Sequence, residues 1–240
     1  MDRYLDDLDR DGRAFLELAP LALDQPVDHC PGWDGAALAS HLGRVWHSMA
    51  MHVSRRATEM IPADEVPRPP SGDALIDWLD DAFGAVTAAL AGAGPDERVW
   101  TWTAENTTGF YRRRMAQETS MHLWDLRTAA HRSEPLEPEL AADGIDELFD
   151  VLLPEVVTRG VPQPTGSLHL HRTDGDGEWS VELVDGALVA SHEHTKGDAA
   201  VRGSAGDLLL MMWERAAVDD ESLQVFGDTD VVKSWTSLSR

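Results

Sequence analysis

Apolar and polar positions divide this chain into two regimes. Up to about residue 157 the apolar residues recur every three or four positions, as on one face of a helix, and beyond residue 166 they alternate. In the first regime Tyr4 to Ala22 sets Leu5, Leu8, Phe15, Leu16 and Ala19 at helical spacing, with an end predicted at or just after Pro20. The two prolines and the glycine in the segment from Gln25 to Trp33 predict a tight loop. Asp34 then offers an N-cap to a second helix reaching about Thr58, striped by Leu38, Leu42, Val45, Met49 and Val53. Four prolines between Ile61 and Gly72 impose another loop. Ser71 or Asp73 can cap a third helix through about Ala91, carrying Leu75, Leu79, Phe83, Val86 and Leu90 inward. Val99 to Thr108 is β-branched and aromatic and predicts a short extended stretch. A long helix follows over Gly109 to Arg132, and a fifth over about Glu137 to Val157.

The second regime begins after a linker-like run, Thr158 to Gly166. Ser167 to Arg172 and Glu178 to Val184 flank Asp174-Gly175-Asp176-Gly177, whose turn chemistry predicts a hairpin. Further strands are expected at Ala187 to Glu193 and Ala199 to Arg202, then helices at Ser204 to Ala216 and Asp228 to Leu238. The reading is α+β: a helical domain over residues 1–160 and a small α/β domain over 161–240.

Composition narrows the function classes. A net charge of −23, from 43 acidic against 20 basic residues, repels phosphate backbones and argues against nucleic-acid binding. No apolar run approaches the roughly 18 residues of a membrane span, and the acidic start, MDRYLDDLDRDG, does not read as a signal peptide. One cysteine, Cys30, excludes a disulfide framework and suits a reducing cytoplasm.

The chemistry concentrates on the long helix. Glu118 and His122, four residues apart, share one helical face. His41 lies beside the apolar stripe of the second helix, so it is expected to point into the bundle. One carboxylate and two imidazoles are costly to bury unless paired or ligated, and they form a familiar donor set for Zn²⁺ that leaves coordination positions open. Asp125, three residues after His122, can orient a ligand from behind. His52 is excluded, because eleven residues of helix put it roughly 16 Å from His41. His169 and His171 share one side of a strand, as do His192 and His194, and both pairs are read as surface residues. Cys30 has no evident activating base and reads as a packed thiol. Asp174 to Glu178 is not a calcium loop, since Trp179 stands where the required glycine would be. Neither a Gly-x-Ser-x-Gly elbow nor a phosphate or dinucleotide loop is present.

Cys30-Pro31-Gly32-Trp33, with Ser40-His41-Leu42-Gly43-Arg44 shortly after, resembles the opening of the mycothiol-dependent maleylpyruvate isomerase family. Arg113 to Asp125 resembles that family's second signature, and Leu168 to His171, Asp174, Trp179 and Gly203 to Leu209 resemble its C-terminal domain. Gln117 departs from the histidine that many members carry before the glutamate.

The resemblance implies a DinB-like four-helix bundle followed by a small α/β domain of sterol-carrier-protein type. It implies a divalent metal, usually zinc, held by the residues matching His41, Glu118 and His122, and it implies mycothiol as the thiol cofactor. Arg114, one turn before Glu118, is the candidate catalytic arginine by its face and equally a plain partner of Glu118. The reaction implied joins a low-molecular-weight thiol to a small electrophile. Thiol addition followed by elimination isomerises a maleylpyruvate-like substrate; release of the adduct makes the same chemistry a thiol transfer. A different class stays open beside it, a non-catalytic small-ligand-binding protein with a structural metal site. The sequence leaves the oligomeric state unread.

Overall fold

The computed structural model describes residues 2–239, with the side chain of Ser239 left out, and the chain packs as two units, residues 1–135 and 136–240. The first is a four-helix bundle: α1 (Arg3–Leu18), α2 (Gly35–Ser54), α3 (Ala74–Gly92) and α4 (Thr108–Ala129). Three of the four starts follow from capping side chains, whereas α3 begins after Asp73 with no side-chain capping bond, against the expectation of a cap there. Asp2 accepts from the Tyr4 N–H, Asp34 from Ala37 and Thr107 from Phe110, satisfying amide donors that a first helical turn leaves without partners. In the bundle α2 packs on α3 and α4, and α1 on α4 and α3.

All four helices meet at Trp46, which is fully buried on α2. Its ring lies edge-on to Phe15 of α1 at 6.2 Å and tilted against Phe83 of α3 at 5.1 Å. Its indole N–H donates to Thr119 Oγ1 of α4 at 3.0 Å. That bond lets a buried indole satisfy its one donor, and it pins α2 to α4 one residue from Glu118.

The segment before α4 forms no strand. Arg98 and Thr107 make a single isolated bridge, and the described residues of the unit offer no sheet edge to extend it. Instead Trp100 stacks on His52 with ring centroids 5.1 Å apart, and its carbonyl accepts from the Tyr111 hydroxyl at 2.7 Å. β-branched and aromatic residues here serve helix packing rather than a ladder.

The second unit starts with α5 (Pro138–Glu147), a π-helical turn over Leu148–Leu152 and α6 (Leu153–Val157). The break has a local cause. Pro154 has no N–H to continue the α ladder, and the chain shifts to the wider bond from the Leu153 N–H to the Leu148 carbonyl. This segment was expected within a helical domain ending at 160. It packs with the second unit instead, α5 lying against α7, which moves the packing division to 135/136.

The sheet contains β1 (Leu168–Arg172), β2 (Glu178–Val184), β3 (Ala187–Ser191), β4 (Ala199–Gly203) and β5 (Gln224–Gly227), in the order β3-β2-β1-β4-β5. The β1–β2 hairpin forms as expected, and β1 pairs parallel with β4. Helices α7 (Ala205–Met212) and α8 (Thr229–Thr236) complete the unit. The short β5 has no counterpart in the sequence reading, and β3 stops at Ser191, leaving His192 and His194 in the following loop. A helical bundle followed by a mixed sheet with helices makes the chain an α+β protein of two domains.

Candidate metal centre

α2 and α4 bring His41, Glu118 and His122 together, with one potential ligand atom from each lying within 4.8 Å of the others. Both imidazoles face the same carboxylate oxygen: His41 Nε2 is 3.1 Å and His122 Nε2 3.3 Å from Glu118 Oε1. The other oxygen, Oε2, accepts from the Arg114 guanidinium at 3.1 Å. His41 and His122 meet edge to face, with centroids 5.0 Å apart.

Asp125 holds the back of the site. Its side chain is fully buried, and Oδ2 accepts from His122 Nδ1 at 3.0 Å. With a proton fixed on Nδ1, Nε2 is the nitrogen that faces Glu118. The Cys30 thiol donates to the same Asp125 oxygen at 3.8 Å, so Cys30 packs behind the histidine rather than standing out as a nucleophile.

The titration behaviour follows from this geometry. Burial pushes the Glu118 carboxyl up, but the hydrogen bonds from His122 and His41, and then the charges of His122 and Arg114, outweigh it and hold the group well below the usual range. Burial pushes His122 toward its neutral form, yet Asp125 and Glu118 raise it to about 9. The Glu118 carboxylate is thus held ionised among its neighbours.

One oxygen facing two imidazole nitrogens suits either two N–H donors or a single cation sharing all three groups, and the latter donor set fits zinc-class ions. His41 keeps 36% of its side-chain exposure against 10% for His122, so the site opens on the His41 side. Trp33 packs at that opening, 5.0 Å from the His41 ring. His41 was expected inside the bundle and is half-buried at its mouth. Arg114 is buried and paired with Glu118, the contact that one helical turn of spacing predicts. His52 is a core histidine, its Nδ1 donating to the Ser48 carbonyl at 2.7 Å and its Nε2 accepting from the Ile61 N–H.

Residues missed as functional candidates lie in the second unit. His169, read as a surface residue, is only 5% exposed. His169, His171, Glu178 and His194 form a second cluster whose ligand atoms all lie within 4.8 Å. The i, i+2 spacing on β1 was the available signal; the contribution of His194 from a loop had none.

Comparison with known proteins bears on the whole chain. Among curated proteins no sequence matches it. A solved structure described as UbiJ-SCP2 Ubiquinone synthesis protein is 18% identical, covering 44% of this chain and 93% of its own length with a TM-score of 0.30. Residues 139–234 match the model of the MDMPI C-terminal domain, which also places α5 with the sheet. Residues 5–127, which hold all of His41, Arg114, Glu118, His122 and Asp125, match the model of the Mycothiol maleylpyruvate isomerase N-terminal domain, and the chain belongs to that family.

Proposed function

We propose that this chain is a metal-dependent enzyme that uses mycothiol, either as cofactor in the cis–trans isomerisation of a maleylpyruvate-like substrate or as co-substrate in thiol transfer to a small electrophile. The observation that carries the reading is the convergence of His41, Glu118 and His122 on two helices, with Asp125 bracing His122. Family membership supports the thiol, and the donor set supports zinc.

His41, Glu118 and His122 would hold a divalent ion, whose charge would favour the thiolate form of a thiol, the form that attacks electrophiles. The rest falls to the protein. Asp125 keeps the His122 proton on Nδ1 and Nε2 directed into the site. Arg114 orients Glu118 through Oε2 and supplies a buried positive charge beside the centre, suited to stabilising negative charge that develops on the substrate. Trp33 and the half-exposed His41 mark the side from which a substrate enters. We assign the protein to the reducing cytoplasm, where such thiols are kept, in accord with its single cysteine.

The reading is tested by metal analysis of Glu118→Gln beside the parent, and by mass spectrometry of purified protein with mycothiol and a panel of electrophiles including maleylpyruvate. The expected results are reduced metal retention in the variant and either an isomerised product or a thiol adduct with the parent. Unchanged metal content in Glu118→Gln removes it as a ligand. Absence of any product with every electrophile favours the non-catalytic, small-ligand reading.

A further inference from the structure

The second histidine cluster lies wholly within the C-terminal unit. His169 and His171 project from the same side of β1, and the register of the β1–β2 hairpin sets Glu178 opposite His171 and Ser180 opposite His169. His194 arrives from the loop between β3 and β4. His171 Nδ1 donates to Glu178 Oε1 at 2.7 Å, and His194 Nδ1 to Glu178 Oε2 at 2.8 Å. Both Glu178 oxygens are thereby engaged.

His169 is different. Ser180 Oγ donates its single proton to the Glu193 carbonyl at 2.9 Å and accepts from the Thr195 hydroxyl at 2.6 Å. It therefore meets His169 Nδ1, 2.9 Å away, as an acceptor, and the imidazole proton sits on Nδ1. That leaves a bare lone pair on Nε2. This atom is buried, has no hydrogen-bond partner among the described residues, and lies 3.9 Å from Glu178 Oε2, inside the cluster. A buried nitrogen lone pair without a donor is costly. A neutral imidazole whose other nitrogen is fixed by a hydroxyl is how proteins present a metal ligand.

We propose that the C-terminal domain binds one divalent transition-metal ion of the zinc class through His169 Nε2, His171 Nδ1, His194 Nδ1 and the Glu178 carboxylate. Three imidazoles and a carboxylate complete a four-coordinate site. Ligand atoms of a tetrahedral zinc site lie roughly 3.3 Å apart, as bonds of about 2.0–2.1 Å require. The present limit of 4.8 Å closes to that by a small inward shift of the ligands. His194, 78% exposed on its loop, is the ligand best placed to make it. The chain's net charge of −23 further favours cation capture. The site is separate from the helical centre, and its existence does not depend on the function proposed above.

The test uses the untagged full chain, stripped with a chelator and dialysed against Zn²⁺, with bound zinc counted by mass spectrometry and affinity measured by chelator competition. Five proteins are compared: the parent, His194→Ala, His171→Ala/His194→Ala, Ser180→Ala, and His41→Ala/His122→Ala. His194 is exposed, so its replacement leaves the fold intact, which circular dichroism checks. The double replacement in the sheet is expected to remove one zinc equivalent relative to the parent, and His194→Ala alone to weaken one site at least tenfold. The helical-centre variant keeps that equivalent, whatever happens to its own site. Ser180→Ala, which touches no ion, is expected to weaken the same site about tenfold by releasing the His169 tautomer. Parent-like stoichiometry and affinity in His171→Ala/His194→Ala overturn the proposal and leave His169 Nε2 to a buried water. Loss of zinc only in His41→Ala/His122→Ala overturns it equally, while leaving the helical centre standing.

Discussion

The buried carboxylate of Asp125 accepts a hydrogen bond from His122 Nδ1 at 3.0 Å, and this contact decides which face of the imidazole is turned toward Glu118. It reaches across one helical turn, so both residues are placed by the same backbone, and ring rotation would break it. Asp125→Ala is expected to lower metal affinity at the helical centre by about 10–100-fold, the usual effect of losing a carboxylate behind a ligating histidine. Asp125→Asn keeps an acceptor oxygen and should fall between parent and alanine variant. Chelator competition checks both; an alanine variant within twofold of the parent would deny Asp125 this role.

The helical centre was largely legible in the sequence, because two of its residues and their brace lie on one helix. Spacing alone puts Glu118, His122 and Asp125 within reach, and His41 needs only that α2 face α4. The sheet cluster was not legible. Its members come from two strands and a loop, so their meeting depends on hairpin register and on a loop path that no local periodicity encodes. The burial of His169 was hidden for a related reason: alternation shows which residues share a side of a strand, but not whether that side is covered. The elements themselves followed local rules wherever caps and stripes agreed. They failed at Val99 to Thr108, where strand-like residues lack a strand partner; around Pro154 the expected helical run to Val157 forms, with a change of winding that the pattern did not show.

Thr119 connects the core to the centre. Its hydroxyl is the acceptor for the fully buried Trp46 indole, and Thr119→Val preserves shape while removing that acceptor. The stranded N–H should cost about 1–3 kcal/mol, lowering the melting temperature of the bundle by roughly 2–4 °C for each kcal/mol in a chain of this size. Trp46→Phe removes the donor too, so the double variant should lose less than the sum of the two single changes. Strict additivity would show that the bond contributes nothing.

Gly12 sets the distance between α1 and α3. A Cβ there would come within 2.1 Å of the Phe83 ring, and Phe83 is itself buried and held against Trp46. Alanine gains about 1 kcal/mol of helix propensity over glycine, but overpacking typically costs 1–3 kcal/mol. Gly12→Ala is therefore expected to destabilise the bundle, by up to about 2 kcal/mol, and Gly12→Ala/Phe83→Leu to recover part of the loss. Thermal unfolding of the three proteins decides it; a more stable single variant would show that the ring yields freely.

Asp174 ties the β1–β2 turn to the start of α7, accepting from Arg172 Nε at 2.8 Å and from the Ala205 N–H at 3.0 Å. Burial would raise its carboxyl, but the hydrogen bond from Arg172, that from Ala205 and the arginine charge lower it below the ordinary 3.8. A carboxyl depressed in the folded state adds stability above its unfolded value, and loses it as pH falls from there through the folded value. The contribution is thus intact at neutral pH and fades below about pH 4. Asp174→Asn should cost about 1 kcal/mol at pH 7, and the gap to the parent should close as the pH is lowered toward 2. Hydrogen exchange at the Ala205 amide reads the effect locally, with the variant less protected at pH 7 and the two alike in acid. A gap that stays constant with pH would place the effect in the shape of the turn rather than in the charge of Asp174.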